Sequence, residues 1–154
     1  MKQLSYTLLF LVINFIGLAI GSWLMNNGPQ TNWYLQLNKA PWTPPGWVFG
    51  VAWTTIMICF SIYLAKLFTT NTNVKSITII FTIAFFLNLS WNYLFFNQHL
   101  VLLSLISISI LTLVIFYYFL KLNKTVANYH YLLLPYVLWL CIATSLNLYI
   151  LLFN

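Results

Sequence analysis

The sequence predicts an all-α integral membrane protein: a five-transmembrane-helix bundle with a long ordered loop between helices 1 and 2. Three observations lead there. Of 154 residues, 62% are hydrophobic and only 4% charged, with six lysines and no Asp or Glu. A water-facing surface needs roughly a quarter charged residues, so the solvent for most of this chain is lipid. Apolar stretches near the length a bilayer demands recur five times, separated by short polar breaks and one long one. The period-2 alternation of a membrane barrel strand is absent, and a lone segment in hydrocarbon must then satisfy its own backbone as a helix.

The five spans are expected at about 4–24, 46–68, 76–96, 100–120 and 131–153, in a single domain covering residues 1–154. Lys66 alone lies inside a span, near its end, where its stem can snorkel to the interface. Five spans put the two termini on opposite sides. Lys2, Lys66, Lys75, Lys121 and Lys124 fall on the N-terminal side and only Lys39 on the other, which places the N-terminus inside and the long loop outside. Richness in Asn, Ile, Lys and Phe points to an AT-biased genome, and the expected location is multi-pass in a bacterial cell membrane.

The first span begins after Lys2 and carries Ala19-Ile20-Gly21, features shared with a signal peptide. Its apolar run exceeds the roughly 7–15 residues of a signal core, so it is expected to stay as a helix. Gly17 and Gly21 stand four apart, as do Gly46 and Gly50 at the start of the second span. Such pairs predict a close backbone approach of helices one and two, to each other or to neighbours. The loop of about Asn26 to Pro45 is long for a connection between adjacent spans. It is dense in aromatics, with Trp33, Tyr34 and Trp42 before Trp47. An interfacial aromatic belt accounts for some of these. Pro44-Pro45 add something the belt does not need, fixing the backbone just before a helix start where a missing N–H costs nothing. The loop therefore reads as an ordered lid.

Helix two carries Gly46, Gly50, Trp53, Met57 and Phe60 on one stripe. Trp53 falls about 10 Å below the outer boundary, deep for a belt residue. Helix three offers Asn88, Trp91, Asn92 and Phe95 on one face. Asn14 on helix one and Asn147 on helix five lie in the same outer half. Amides at that depth either bond neighbouring helices or face a cavity, and the two readings are compatible. Helix four is mostly Leu and Ile, with Ser104, Ser107, Ser109 and Thr112 able to bond their own backbone. It reads as structural or lipid-facing. Helix five starts with Pro135 in its first turns and places Trp139, Ala143, Leu146, Asn147 and Ile150 along a stripe, with Trp139 in mid-membrane where packing is the commoner role.

The absence of any carboxylate excludes paired-carboxylate catalysis, triads completed by Asp or Glu, and carboxylate metal sites. His99 and His130 fall on opposite faces of the membrane, and Cys59 and Cys141 are single residues without ligand spacing, so no metal site and no required cofactor are expected. Scattered lysines without arginine make no nucleic-acid surface. What remains is a pocket with aromatic walls, amide hydrogen-bonders and Lys39 at its mouth. That chemistry suits a large, flat, apolar ligand with a negative or polar edge.

Three blocks carry a resemblance over the chain from Trp33 onward: NWYLQLNKAPWTPPGWVFGVAW, LNLSWNYLFF and PYVLWLCIATSLN. Their order and spacing resemble the TspO/MBR family, the tryptophan-rich sensory proteins and translocator proteins of the peripheral benzodiazepine receptor type. The resemblance implies a five-helix bundle, usually a homodimer, that binds porphyrins such as protoporphyrin IX and haem, and in some members cholesterol and benzodiazepine-type drugs. It further implies a ligand pocket including Tyr34, Trp42, Trp53, Asn88, Trp91, Trp139, Ala143, Leu146 and Asn147. The tryptophans matching Trp53 and Trp139 are implicated in light-dependent porphyrin breakdown in bacterial members, and this sequence keeps both. It departs from the family pattern at Ala40-Pro41, where the proline falls one place late, and at Met57, Ala84 and Ser107. The family's sterol motif needs a basic residue after Asn147 and none follows. Val114, Tyr117 and Lys121 match only a loose consensus, so cholesterol is not an expected partner. The expected function is a membrane sensor of tetrapyrroles. The alternatives are a transporter of porphyrin-type ligands and a light-dependent porphyrin-degrading enzyme working through Trp53 and Trp139.

Overall fold

A computed structural model describes residues 1–71 and 73–154, leaving aside the side chains of Asn123 and Lys124. The topology reading of Lys124 thus lies outside the described residues. Five long helices carry the chain across: α1 (Lys2–Leu24), α3 (Gly46–Thr70), α4 (Val74–Asn92), α5 (Val101–Lys121) and α7 (Leu134–Phe153). Each is long and apolar enough to span a bilayer. Two short helices, α2 (Asn32–Gln36) and α6 (Asn123–Val126), lie in the connections. Among the described residues there is no strand.

The expected spans hold, with ends shifted by a few residues for local reasons. The chain enters α3 directly from Pro45, whose φ of −56° is already helical. α4 is capped at its start by the Asn73 side chain, which accepts from the Ser76 N–H at 3.2 Å. It runs on through a five-residue π-helical segment, Tyr93–Asn97. A 3₁₀ segment, Ala127–Leu133, precedes α7, and Pro135 sits in the first turn of α7.

α1 lies against α3 and α4, α4 against α5, α5 against α7, and α7 against α3, so the five helices close a ring. The lysine-rich end of the ring is solid. Phe10 meets Phe68 at 4.9 Å and Phe81 at 5.5 Å between ring centroids, and Phe60 meets Tyr136 at 5.3 Å. The Tyr63 hydroxyl donates to the Tyr118 carbonyl (3.3 Å), and Tyr118 in turn donates to that of Ile77 (3.2 Å), so both buried phenols find partners. Aromatic side chains wide enough to meet at the axis fill that end. The loop end is different.

One expectation is corrected, that for Gly46 and Gly50, and two are sharpened. Gly17 and Gly21 mark a close approach to a neighbour, α4: a Cβ on Gly17 would fall 2.6 Å from the Phe85 ring, and one on Gly21 would fall 3.0 Å from the Asn92 amide. Gly46 and Gly50 approach nothing within 4 Å. α5 is a structural helix whose hydroxyls do more than bond their own backbone. Ser107 bonds Ser90 of α4 (2.9 Å) and Thr112 bonds Thr144 of α7 (3.2 Å), because in lipid a hydroxyl facing another helix gains more than one facing acyl chains.

Candidate functional site: a lidded cavity

The loop between α1 and α3 is ordered, as expected of a lid, and the order comes from both flanks. It leaves α1 through Asn26 and Asn27, both at positive φ, then makes one 3₁₀ turn at Gly28–Gln30. Thr31 caps α2, its hydroxyl accepting from the Tyr34 N–H at 3.4 Å. On the α4 flank, Gly28 sits so close to the π-helical segment that a Cβ would fall 2.4 Å from that of Phe96. Trp33 stacks on His99 at 4.0 Å and meets Phe95 edge-on at 5.6 Å. Asn97 donates to the Leu24 carbonyl (3.3 Å), satisfying one of the open acceptors at the end of α1. On the α7 flank, the Asn38 N–H donates to the Asn154 side chain (2.8 Å), which donates back to the Asn38 carbonyl (3.2 Å). Trp42 donates its indole N–H to Ser145 at 3.2 Å and meets Tyr149 edge-on at 5.5 Å.

Beneath this lid lies a cavity of about 500 Å³. That is the size of a small-molecule site, and its composition, apolar with a few polar groups, is also that of one. α1 contributes Leu18, Ser22 and Met25; α3 contributes Phe49 and Trp53; α4 and the π-helical segment contribute Asn88, Asn92, Trp91 and Phe96; the lid contributes Tyr34, Lys39, Thr43 and Pro44. A side pocket of about 30 Å³ shares Tyr34, Lys39 and Trp91 and extends to Ala143, Leu146 and Asn147 on α7. A second, of about 20 Å³, shares Asn88 and extends downward to Asn14 and Met57.

Among the residues singled out from sequence, Tyr34, Lys39, Trp53, Asn88 and Trp91 face the main cavity. Ala143, Leu146 and Asn147 line the side pocket. Trp139 lines none of the three; it is buried behind the wall, edge-on to Phe49 at 5.1 Å. Trp42 also lies outside, 54% exposed against α7. Lys39 rests over the Tyr34 ring at 4.6 Å from its centroid, with its ammonium 3.4 Å from the Leu35 carbonyl. Burial pushes the Tyr34 phenol above its ordinary range, so it enters the site as a neutral hydroxyl.

The asparagines divide between the two roles open to them. Asn14 donates to Ser61 at 2.8 Å and ties α1 to α3. Asn147 ties α7 to α5 and α4: with its amide oriented to satisfy both ends, it accepts from the Trp91 indole (3.1 Å) and from Ser104 (2.8 Å) while donating to the Val101 carbonyl (3.1 Å). Trp91 is thereby held against the cavity wall with its N–H spent. Asn88 and Asn92 face the cavity, and Asn92 also donates to the Asn88 carbonyl at 3.1 Å.

Residues 9–153 match the TspO/MBR family. The tryptophan-rich protein TspO of Archaeoglobus fulgidus is 34% identical over 164 residues, spanning 100% of this chain and 99% of its own length. The tryptophan-rich protein TspO of Chlorobaculum tepidum is 32% identical over 129 residues, 82% of each chain. The tryptophan-rich sensory protein of Cereibacter sphaeroides is 26% identical over 118 residues, 75% of this chain and 72% of its own.

Proposed function

The chain belongs to the TspO/MBR family, and on that premise we propose that it is a membrane receptor or sensor for porphyrins, protoporphyrin IX and haem, and for related flat apolar ligands. It would regulate tetrapyrrole or stress responses, act as a homodimer, and carry its N-terminus inside and its lid outside. The observation that supports this reading most is the cavity of about 500 Å³ under the lid. Its walls include Tyr34, Phe49, Trp53, Trp91 and Phe96, whose faces suit a flat conjugated ring. Lys39 at its upper edge suits a carboxylate on the ring's periphery. Asn88 and Asn92 are left to meet polar edges below. Titrating the purified protein with protoporphyrin IX while following tryptophan fluorescence tests it: saturable quenching is expected, and its absence sinks every porphyrin reading.

Trp53 in the cavity wall also favours a second reading, light-dependent porphyrin breakdown. Illuminating the complex separates the two. A porphyrin product formed by the wild type and lost in Trp53→Phe and Trp139→Phe speaks for an enzyme. Bound porphyrin that stays intact speaks for a sensor, and porphyrin flux into sealed vesicles speaks for a transporter.

A further inference from the structure

We propose that the cavity opens sideways into the lipid, through a slot between the lid-side halves of α1 and α3 at Ser22, Gly46 and Gly50, and that its ligand is an amphiphile arriving dissolved in the membrane. The inference rests on the small-molecule reading of the cavity, and it concerns the route by which the site is reached.

Four seams could admit a ligand, and three are shut. Between α3 and α7, Phe49 meets Trp139 edge-on at 5.1 Å. Between α1 and α4, Gly17 and Gly21 bring the helices so close that a Cβ would already crowd Phe85 and Asn92. Across the top, the lid is fastened on one side through Gly28, Trp33 and Phe96 and on the other by the Asn38–Asn154 pair and Trp42. The seam between α1 and α3 differs along its length. In its lower part the Asn14–Ser61 bond of 2.8 Å pins the two helices together. The helices are antiparallel, so eight residues further out Ser22 comes level with Trp53, about 12 Å above that bond. At that level Ser22 is exposed while also lining the cavity.

On α1, Leu18, Ser22 and Met25 follow one another on a single face and all line the cavity. On α3, Gly46 and Trp53 line it, and Gly50 lies on the same stripe between them. Ser22 and Gly46 are cavity walls and yet exposed, and Gly50 is exposed as well. A Cβ on Gly46 or Gly50 would meet nothing within 4 Å. Two glycines a turn apart leave the first turns of this stripe bare of side chains. Trp23 and Trp47, 78% and 71% exposed, stand at the ends of the same two helices, at the depth where indoles mark the edge of the bilayer. The slot therefore faces acyl chains and headgroups. A flat apolar molecule with an anionic edge would slide in ring first, its carboxylate kept near the headgroup level beside Lys39.

The test uses a reporter that needs no porphyrin. In protein carrying Cys59→Ser and Cys141→Ser and reconstituted in nanodiscs, Asn88→Cys places a thiol on the cavity wall, with Leu89→Cys as a second reporter on the same wall. Both are labelled with a lipid-soluble pyrene maleimide. Adding Gly50→Phe, which fills the slot from a position that is not itself part of the cavity lining, is expected to slow labelling at least tenfold. Adding Asn154→Ala, which removes the Asn38 fastening of the lid on its α7 flank, is expected to leave it within twofold. Labelling unchanged by Gly50→Phe, or accelerated by Asn154→Ala, overturns the slot in favour of entry under the lid. A change in oligomeric mass on Gly50→Phe overturns it too, because a second copy then covers the seam. Porphyrin titration of the same Gly50→Phe protein keeps the two ideas apart: unaltered affinity reached more slowly supports the slot, whereas lack of saturable binding in the wild type sinks the porphyrin reading alone.

Discussion

Replacing Lys39 by Gln should weaken the binding of a dicarboxylate porphyrin and spare its neutral ester. Lys39 lies on the wall of both the main cavity and the side pocket, over the Tyr34 ring at 4.6 Å, and is the sole lysine on the lid side of the bundle among the described residues. A hydrogen bond to a charged group contributes about 1.5–3 kcal/mol when well sheltered. Lys39 is only partly buried, so solvent screening reduces this to about 1 kcal/mol. That corresponds to about a fivefold rise in Kd. Titrations of wild type and Lys39→Gln with protoporphyrin IX and with its dimethyl ester measure it. The ester should bind both proteins alike, and added salt should weaken the diacid in the wild type more than in the variant. If Lys39→Gln binds the diacid as the wild type does, the ammonium only fastens the lid through Tyr34 and the Leu35 carbonyl, and the argument that it reads a carboxylate is wrong.

Gly28→Ala should lower the unfolding temperature, because its Cβ would meet the Cβ of Phe96 and not the far end of a flexible chain. Overpacking of this kind costs about 1–3 kcal/mol. Gly50→Ala, with nothing within 4 Å, should be neutral or slightly stabilising in the same melts. Asn147→Leu should cost about 1 kcal/mol, since it leaves the Trp91 indole N–H and Ser104 without their shared partner, and a shifted Trp91 emission would report it. Tyr34 has its phenol pushed up by burial, so its neutral form supports the folded lid below the ordinary phenol range near pH 10 and that support is lost as pH rises through the higher folded value. Alkaline unfolding of Tyr34→Phe should accordingly be less steep than that of the wild type above about pH 10.

The five spans were readable because hydrocarbon imposes one length and one backbone solution on each of them. The lid was readable too, since Pro44-Pro45 and the clustered aromatics are too constrained for a floppy linker. What holds the lid was not. The Asn38–Asn154 pair joins residues 116 apart, and nothing local at either end announces it. Phe49 and Phe96 were missed as cavity walls because phenylalanine in a span reads equally as packing or as lipid contact. The π-helical segment that turns Phe95 and Phe96 beneath Trp33 and Tyr34 has no signature in Tyr93–Asn97 beyond its aromatic content. Trp42 shows the limit of motif spacing: its place in the block is as expected, but its indole turns outward to Ser145. The glycine pairs look alike in sequence and act in opposite ways, Gly17 and Gly21 closing a seam and Gly46 and Gly50 leaving one open. Which neighbour a small residue faces depends on how the helices are rotated, and that is set by contacts such as Asn14–Ser61 far along the chain.

The most direct test of the account is stoichiometric binding of protoporphyrin IX to the reconstituted protein, read from porphyrin absorbance of the separated complex, beside a Leu89→Trp variant that fills the cavity from its α4 wall. One porphyrin per chain in the wild type, with at least a tenfold loss of affinity in Leu89→Trp, is the predicted result. Equal binding by the two proteins contradicts a porphyrin site under the lid, and none by the wild type contradicts the porphyrin reading itself.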